Sequence, residues 1–165
     1  MKIAIRLVLF AALAGAGFWL WTFFFPSPEK LVLKKVSALA ATATFSADTG
    51  NITRATKVSN LIGYFSTDAQ IVVDIPGAGA GTLNGRDEIR EAAAGGFSKL
   101  QSLDVKFLDA TSKVSADKQS AEVRCTAEAR IGESKDPAVQ EMRFQLRKID
   151  GEWRITRVET VKTLQ

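Results

Sequence analysis

Few side chains in this sequence are equipped for chemistry, and the absences narrow the field first. The 165 residues contain no histidine. That removes Ser-His-Asp and Cys-His nucleophile systems, His-ligated zinc or iron, and a histidine pH switch. The single cysteine, Cys125, makes no internal disulfide and rules out a zinc knuckle. It shares an apolar phase with Val123 and Ala127, which reads as an inert core thiol. Asp74 lies near the end of the apolar segment Ala69–Ile75. A carboxylate at the lip of an apolar pocket gains base strength by desolvation; a solvated or hairpin-capping carboxylate is the competing reading. Gly77-Ala78-Gly79-Ala80-Gly81 invites a phosphate cradle. It has neither a Gly-Lys-Ser/Thr ending nor Gly-x-Gly-x-x-Gly spacing, and a flexible loop is preferred. The acids are not clustered as a metal site requires, so neither metal nor cofactor is expected. Asn51-Ile52-Thr53 is a glycosylation sequon only in a domain secreted by a eukaryote.

These residues need a scaffold, and the composition supplies one: 46% hydrophobic and 24% charged residues are those of a folded domain. The 22 basic residues against 18 acidic ones leave a net charge of +4, too thin and dispersed to imply a nucleic-acid partner. Ser27-Pro28-Glu29 predicts a helix start, with a cap, a proline in the first turn and an acid. Val32, Val36, Leu39 and Ala43 continue at helical spacing. A second helix carries Ala55, Val58, Leu61, Ile62 and Phe65. Ala69–Ile75 reads as a strand, and Asn84-Gly85 turns the chain into a third helix from Arg86 to about Phe97. The period then falls to two. Leu103, Val105 and Phe107, then Ala121 to Ile131, then Met142, Phe144 and Leu146 alternate with charged residues. Asp150-Gly151 predicts a hairpin, and the slipped phase between Ile155 and Val158 predicts a bulge at Thr156 or Arg157.

Helices segregated from a sheet with one apolar face make an α+β domain, a curved antiparallel sheet wrapped around three helices. Ala121, Cys125, Ala127 and Ala129 form an unusually small inner face. Either helix and sheet approach closely there, or volume remains for a ligand. The outer face carries Arg124, Arg130, Arg143, Gln145 and Arg147 mixed with Glu122, Glu128 and Glu141, a solvated face or a partner surface.

Ahead of this domain, Leu7–Phe25 is a 19-residue run without a charge, near the length that spans about 30 Å of hydrocarbon. Lys2 and Arg6 precede it and Pro26-Ser27-Pro28 ends it. Ala14-Gly15-Ala16 fits a signal-peptide cleavage site locally, but cleavage there leaves Phe18–Phe25 as an exposed apolar patch. An uncleaved transmembrane anchor over residues 1–25 is therefore expected, with the lipid bilayer as partner of residues 7–25. The domain at 26–165 is placed on the extracytoplasmic side of the cell membrane, periplasmic in a bacterium.

The segments Thr67–Asp74, Leu83-Asn84-Gly85-Arg86-Asp87-Glu88-Ile89 and Asp150-Gly151-Glu152-Trp153-Arg154-Ile155, in this layout, resemble the nuclear transport factor 2-like superfamily. Its SnoaL-like and ketosteroid isomerase-like branches are nearest in appearance. The resemblance implies a cone-shaped cystatin-like α+β fold, frequent dimerisation across the sheet, and a pocket put to varied uses. It sets Asp74 at the position of the proton-abstracting aspartate. The accompanying tyrosine of the first helix and aspartate of a late strand have no counterpart, since Tyr64 ends the second helix and Met142–Leu146 contains no aspartate. The Asp-His machinery of dehydratase-like members is impossible without histidine.

The expectation is a non-enzymatic ligand-binding or assembly module, with Val72, Asp74, Cys125, Ala127 and Phe144 lining its pocket. Its partners would be a small apolar ligand, a second copy or a membrane complex. The alternative is a small-molecule isomerase or hydrolase with Asp74 as general base.

Overall fold

The computed structural model describes residues 27–75 and 79–161. The chain opens with helix α1 (Pro28–Ala43), where the Ser27 hydroxyl accepts from the Lys30 amide at 3.4 Å and Pro28 occupies the first turn. Val32, Val36, Leu39 and Ala40 form its buried stripe. Helix α2 (Asn51–Ile62) follows, and Gly63-Tyr64 turns the chain into strand β1 (Phe65–Ile75). Phe65, expected on the second helix, is instead the first residue of β1. The turn ends the helix three residues earlier and swings Phe65 into the same core.

Strand β2 (Gly79–Asn84) pairs antiparallel with β1, so part of the expected glycine loop is strand. Alternating Gly and Ala have no side-chain pattern to betray a strand, and the ladder to β1 supplies what propensity lacks. Gly85 opens helix α3 (Gly85–Lys99) at φ +77°, and a Cβ there would sit 3.4 Å from the Thr67 carbonyl oxygen. Strands β3 (Leu103–Val114), β4 (Ser120–Ile131), β5 (Ala138–Ile149) and β6 (Glu152–Thr160) complete the sheet. Asp150 and Gly151 both take positive φ at the β5–β6 hairpin, as their dipeptide predicts.

The six strands run in the order β2-β1-β6-β5-β4-β3. The expected antiparallel sheet holds for every neighbouring pair but one, since β6 runs parallel to β1. The helices intervene between β1 and the later strands, and the last strand returns beside the first. Leu146 faces Ile155 and Gln145 faces Arg157, which leaves Thr156 as the extra residue of the expected bulge.

The three described helices lie on one face, α1 over β3 and β4, and α3 over β1 and β2. Val32, Val36, Val123, Phe144, Leu146 and Ile155 are buried there, and Phe107 meets Phe144 edge-on at 5.2 Å. Each such side chain contributes roughly 1.5–3 kcal/mol. The small residues Ala121 and Cys125 belong to this packed cluster, so they let α1 approach closely. A second cluster joins Phe45, Val58 and Phe97, with the two rings 4.7 Å apart.

Arg54 lies over the Phe45 ring at 4.5 Å. It donates to the carbonyls of Thr49, Phe97, Leu100 and Gln101 at 2.7–2.9 Å. One side chain of α2 thus satisfies backbone oxygens at the end of α3 that have no helical partner. Among the described residues no helix is long and apolar enough to cross a membrane. The expected anchor at 7–25 lies outside the described residues.

Candidate functional site

Alternation along each strand turns one face to the helices and the other away from them. On the helix-free face a row of polar residues crosses the whole sheet, one from each strand. Lys113 lies opposite Glu122, Glu122 opposite Gln145, and Gln145 opposite Arg157. Arg157 in turn lies opposite Gln70, and Gln70 opposite Asn84. The row is joined by side-chain bonds. Arg157 Nη1 donates to Gln70 Oε1, and Gln70 Nε2 donates to Asn84 Oδ1 at 2.9 Å.

The next row along the strands runs Thr111, Arg124, Arg143, Glu159, Val72 and Thr82. Glu159 accepts a hydrogen bond from Arg157 Nε at 2.8 Å and forms an ion pair with Arg143 Nη1 at 3.0 Å. Arg124 pairs with Glu122 at 2.8 Å and Arg147 with Asp68 at 2.8 Å.

Along this face runs a groove of about 960 Å³, lined by the polar row and by Asp68, Arg124, Arg147 and Thr156. Its walls are guanidinium groups, amides and hydroxyls with the Lys113 amine and the Asp68 and Glu122 carboxylates, beside the apolar Val114, Ala121 and Leu146, and several of the charged groups are held by ion pairs. That donor set suits hydrogen bonding to a polar ligand. It offers no desolvated acid–base pair.

The residues expected from sequence divide between the two faces. Val72 and Asp74 share the helix-free face with Gln70. Cys125, Ala127 and Phe144 belong to the helix side, where Phe144 faces Val123 and Val158 and Ala127 faces Phe107. The sheet lies between the two groups, because the strand phase of β1 turns Asp74 away from the helices. Asp74 is half-buried, and its backbone is pinned to the end of β6. Its amide donates to Thr160 Oγ1 at 2.9 Å, and that hydroxyl contacts the Asp74 carbonyl oxygen at 3.3 Å. Asp74 is not among the groove's lining residues.

Tyr64 is on the helix side, its hydroxyl 3.2 Å from Thr42 Oγ1 and its ring under Lys35. It therefore cannot share a substrate with Asp74. Burial pushes the Cys125 thiol up to about 11, so it is protonated at neutral pH, although it borders a recess of about 230 Å³ with Thr111 and Met142. Among the described residues no His, Cys, Asp and Glu group is placed to hold a metal ion. Arg86 of the Gly-Arg-Asp-Glu-Ile segment donates to the Phe65 carbonyl, tying the start of α3 to the start of β1. That segment is a structural tie.

Sequence reading missed Gln70, Asn84, Thr156 and Arg157 as groove residues. Their signal was the polar phase of each strand. Which polar residues become neighbours depends on strand order, and above all on the parallel return of β6.

A family model described as SnoaL-like domain matches residues 36–159. No curated protein matches the chain. Among solved structures, a protein of unknown function from Pseudomonas putida described as nuclear transport factor 2-like superposes with a TM-score of 0.65. It is 9% identical over 83% of this chain and 87% of its own. A protein from Novosphingobium aromaticivorans of the same description, with a cystatin-like fold, gives a TM-score of 0.62. Its identity is 18%, over 90% of this chain and 86% of that one. Another from that organism, provisionally named an aromatic ring hydroxylase, gives 0.63 at 14% identity, covering 82% and 88%. At these identities the likeness is one of fold.

Proposed function

The chain belongs to the SnoaL-like domain family, and we propose that it serves there as a non-catalytic, membrane-tethered module binding a ligand or partner on the extracytoplasmic side. The observation that carries the binding reading is the placement of open space. The helix side, where a catalytic pocket of this family type would be sought, is packed around Phe144, Val123 and Val36. The large open volume lies on the opposite face among polar groups. The ligand is therefore read as polar instead of apolar. The tether rests on the uncharged run Leu7–Phe25, which leads within three residues into α1.

Asp74 as a general base finds no support in this arrangement. It faces away from the apolar cluster, and Tyr64 lies across the sheet from it.

The test is fractionation of cells expressing the full chain, followed by protease treatment of intact cells or spheroplasts. The expected result is a protein that stays with the membrane through carbonate washing, is digested from outside, and is released when residues 1–25 are deleted. A mature chain beginning near Gly17, or a turnover abolished by Asp74→Asn, would overturn the reading.

A further inference from the structure

We propose that the groove on the helix-free face takes a small polar anion, bearing carboxylate or phosphate, held by Arg124, Arg147 and Arg157. This rests on the binding reading above and names the ligand class for the same groove. The first support is charge. The charged side chains lining the groove are Lys113, Arg124, Arg147 and Arg157, against Asp68 and Glu122. Glu159, which holds Arg157, lies outside the lining, and the lining itself carries four cations against two acids.

Arg124 and Arg143 lie directly opposite on neighbouring strands, each offset by a carboxylate, Glu122 for Arg124 and Glu159 for Arg143. Arg143 Nε is buried and has no hydrogen-bond partner among the described residues. The acids Glu128 and Glu141 on the same strands do not line the groove.

The second support is preorganisation. Arg157 is fixed by Gln70 and Glu159, Arg147 by Asp68 and Arg124 by Glu122, so the guanidinium forks lose little freedom on meeting a bidentate acceptor. The amides of Gln70, Asn84 and Gln145 stand beside them to read the rest of the ligand. No aromatic side chain lines the groove, which disfavours a stacked base or sugar ring.

A second copy is the rival occupant. A two-fold contact would set the same patch against itself. Two concavities facing one another leave the groove unfilled.

The experiment is calorimetric and NMR titration of the full chain in detergent with citrate, with inorganic phosphate and with neutral inositol, at one fixed ionic strength. Saturable binding of citrate or phosphate, absent with inositol, is expected. The two anions distinguish carboxylate from phosphate chemistry. Arg157→Gln and the more exposed Arg124→Gln should each weaken it about tenfold, and Arg90→Gln on α3 should leave it unchanged, with all three variants shown folded by their melting transitions. Equal binding of inositol would overturn the anion assignment and leave the groove as a binding site. Losses equal for Arg90→Gln would overturn it as non-specific screening. No saturable binding, with a dimer broken by Arg157→Gln, would overturn it in favour of a second copy.

Discussion

Arg157 on β6 lies directly opposite Gln70 on β1, and its guanidinium donates to the Gln70 amide oxygen across the parallel step of the sheet. Gln70 passes the connection on to Asn84 of β2, so two side-chain bonds join three strands on the helix-free face. Gln70→Ala breaks both. Each bond contributes about 0.5–1.5 kcal/mol net, so the urea midpoint should fall by the equivalent of about 1–3 kcal/mol. A loss near zero would mean that water replaces both bonds without cost.

Phe144 is 2% exposed and central to the packed helix side. Phe144→Ala should destabilise the domain by about 3–5 kcal/mol, measured by chemical denaturation at equilibrium. A cost below about 1 kcal/mol would instead indicate room at that site, and with it the apolar pocket that the packing argues against.

Arg54 satisfies four backbone carbonyls and covers the Phe45 ring. Arg54→Met keeps much of the apolar stem and removes every donor. Bonds to a charged group exceed neutral ones in strength, and orphaned acceptors add a penalty. A loss of about 2–4 kcal/mol is expected, with hydrogen-exchange protection failing first at the end of α3. Uniform loss of protection across the sheet would contradict that local role.

Cys125 carries a thiol raised by burial from an ordinary 9.0 to about 11. The unfolded chain ionises first as pH climbs, so it binds fewer protons there than the native state and gains on it. The contribution of Cys125 to stability is intact below pH 9.0 and is lost as pH rises toward about 11. Cys125→Ala should flatten this part of the stability curve. A thiol reagent at pH 7 should label the wild type only after denaturant is added; rapid labelling of the native protein would show the burial to be wrong.

The helices were legible because local chemistry defines them. Ser27 and Pro28 start α1, Gly85 starts α3, and the apolar spacing names the buried stripes. The β5–β6 hairpin and the Thr156 bulge were legible for the same reason, as Asp150-Gly151 and a slipped phase are local signals. Strand β2 was not, because Gly79–Gly81 gains strand structure from pairing with β1. The candidate site was the least legible part. Arg157, Gln70 and Asn84 are far apart in sequence and become neighbours through strand order. Asp74 drew attention through its position along the chain, yet phase alone decides which face of β1 it occupies.

Strand β6 occupies an interior place in the sheet, between β1 and β5, although it is the last of the described strands. A ribosome therefore delivers the middle of the sheet last. Until Glu152–Thr160 leave the exit tunnel, the nascent chain holds two separate ribbons, β1–β2 and β3–β5, each with an open edge that another polypeptide can pair with. A stop codon upstream of Glu152 should thus produce aggregated or degraded material, with no smaller folded domain left behind.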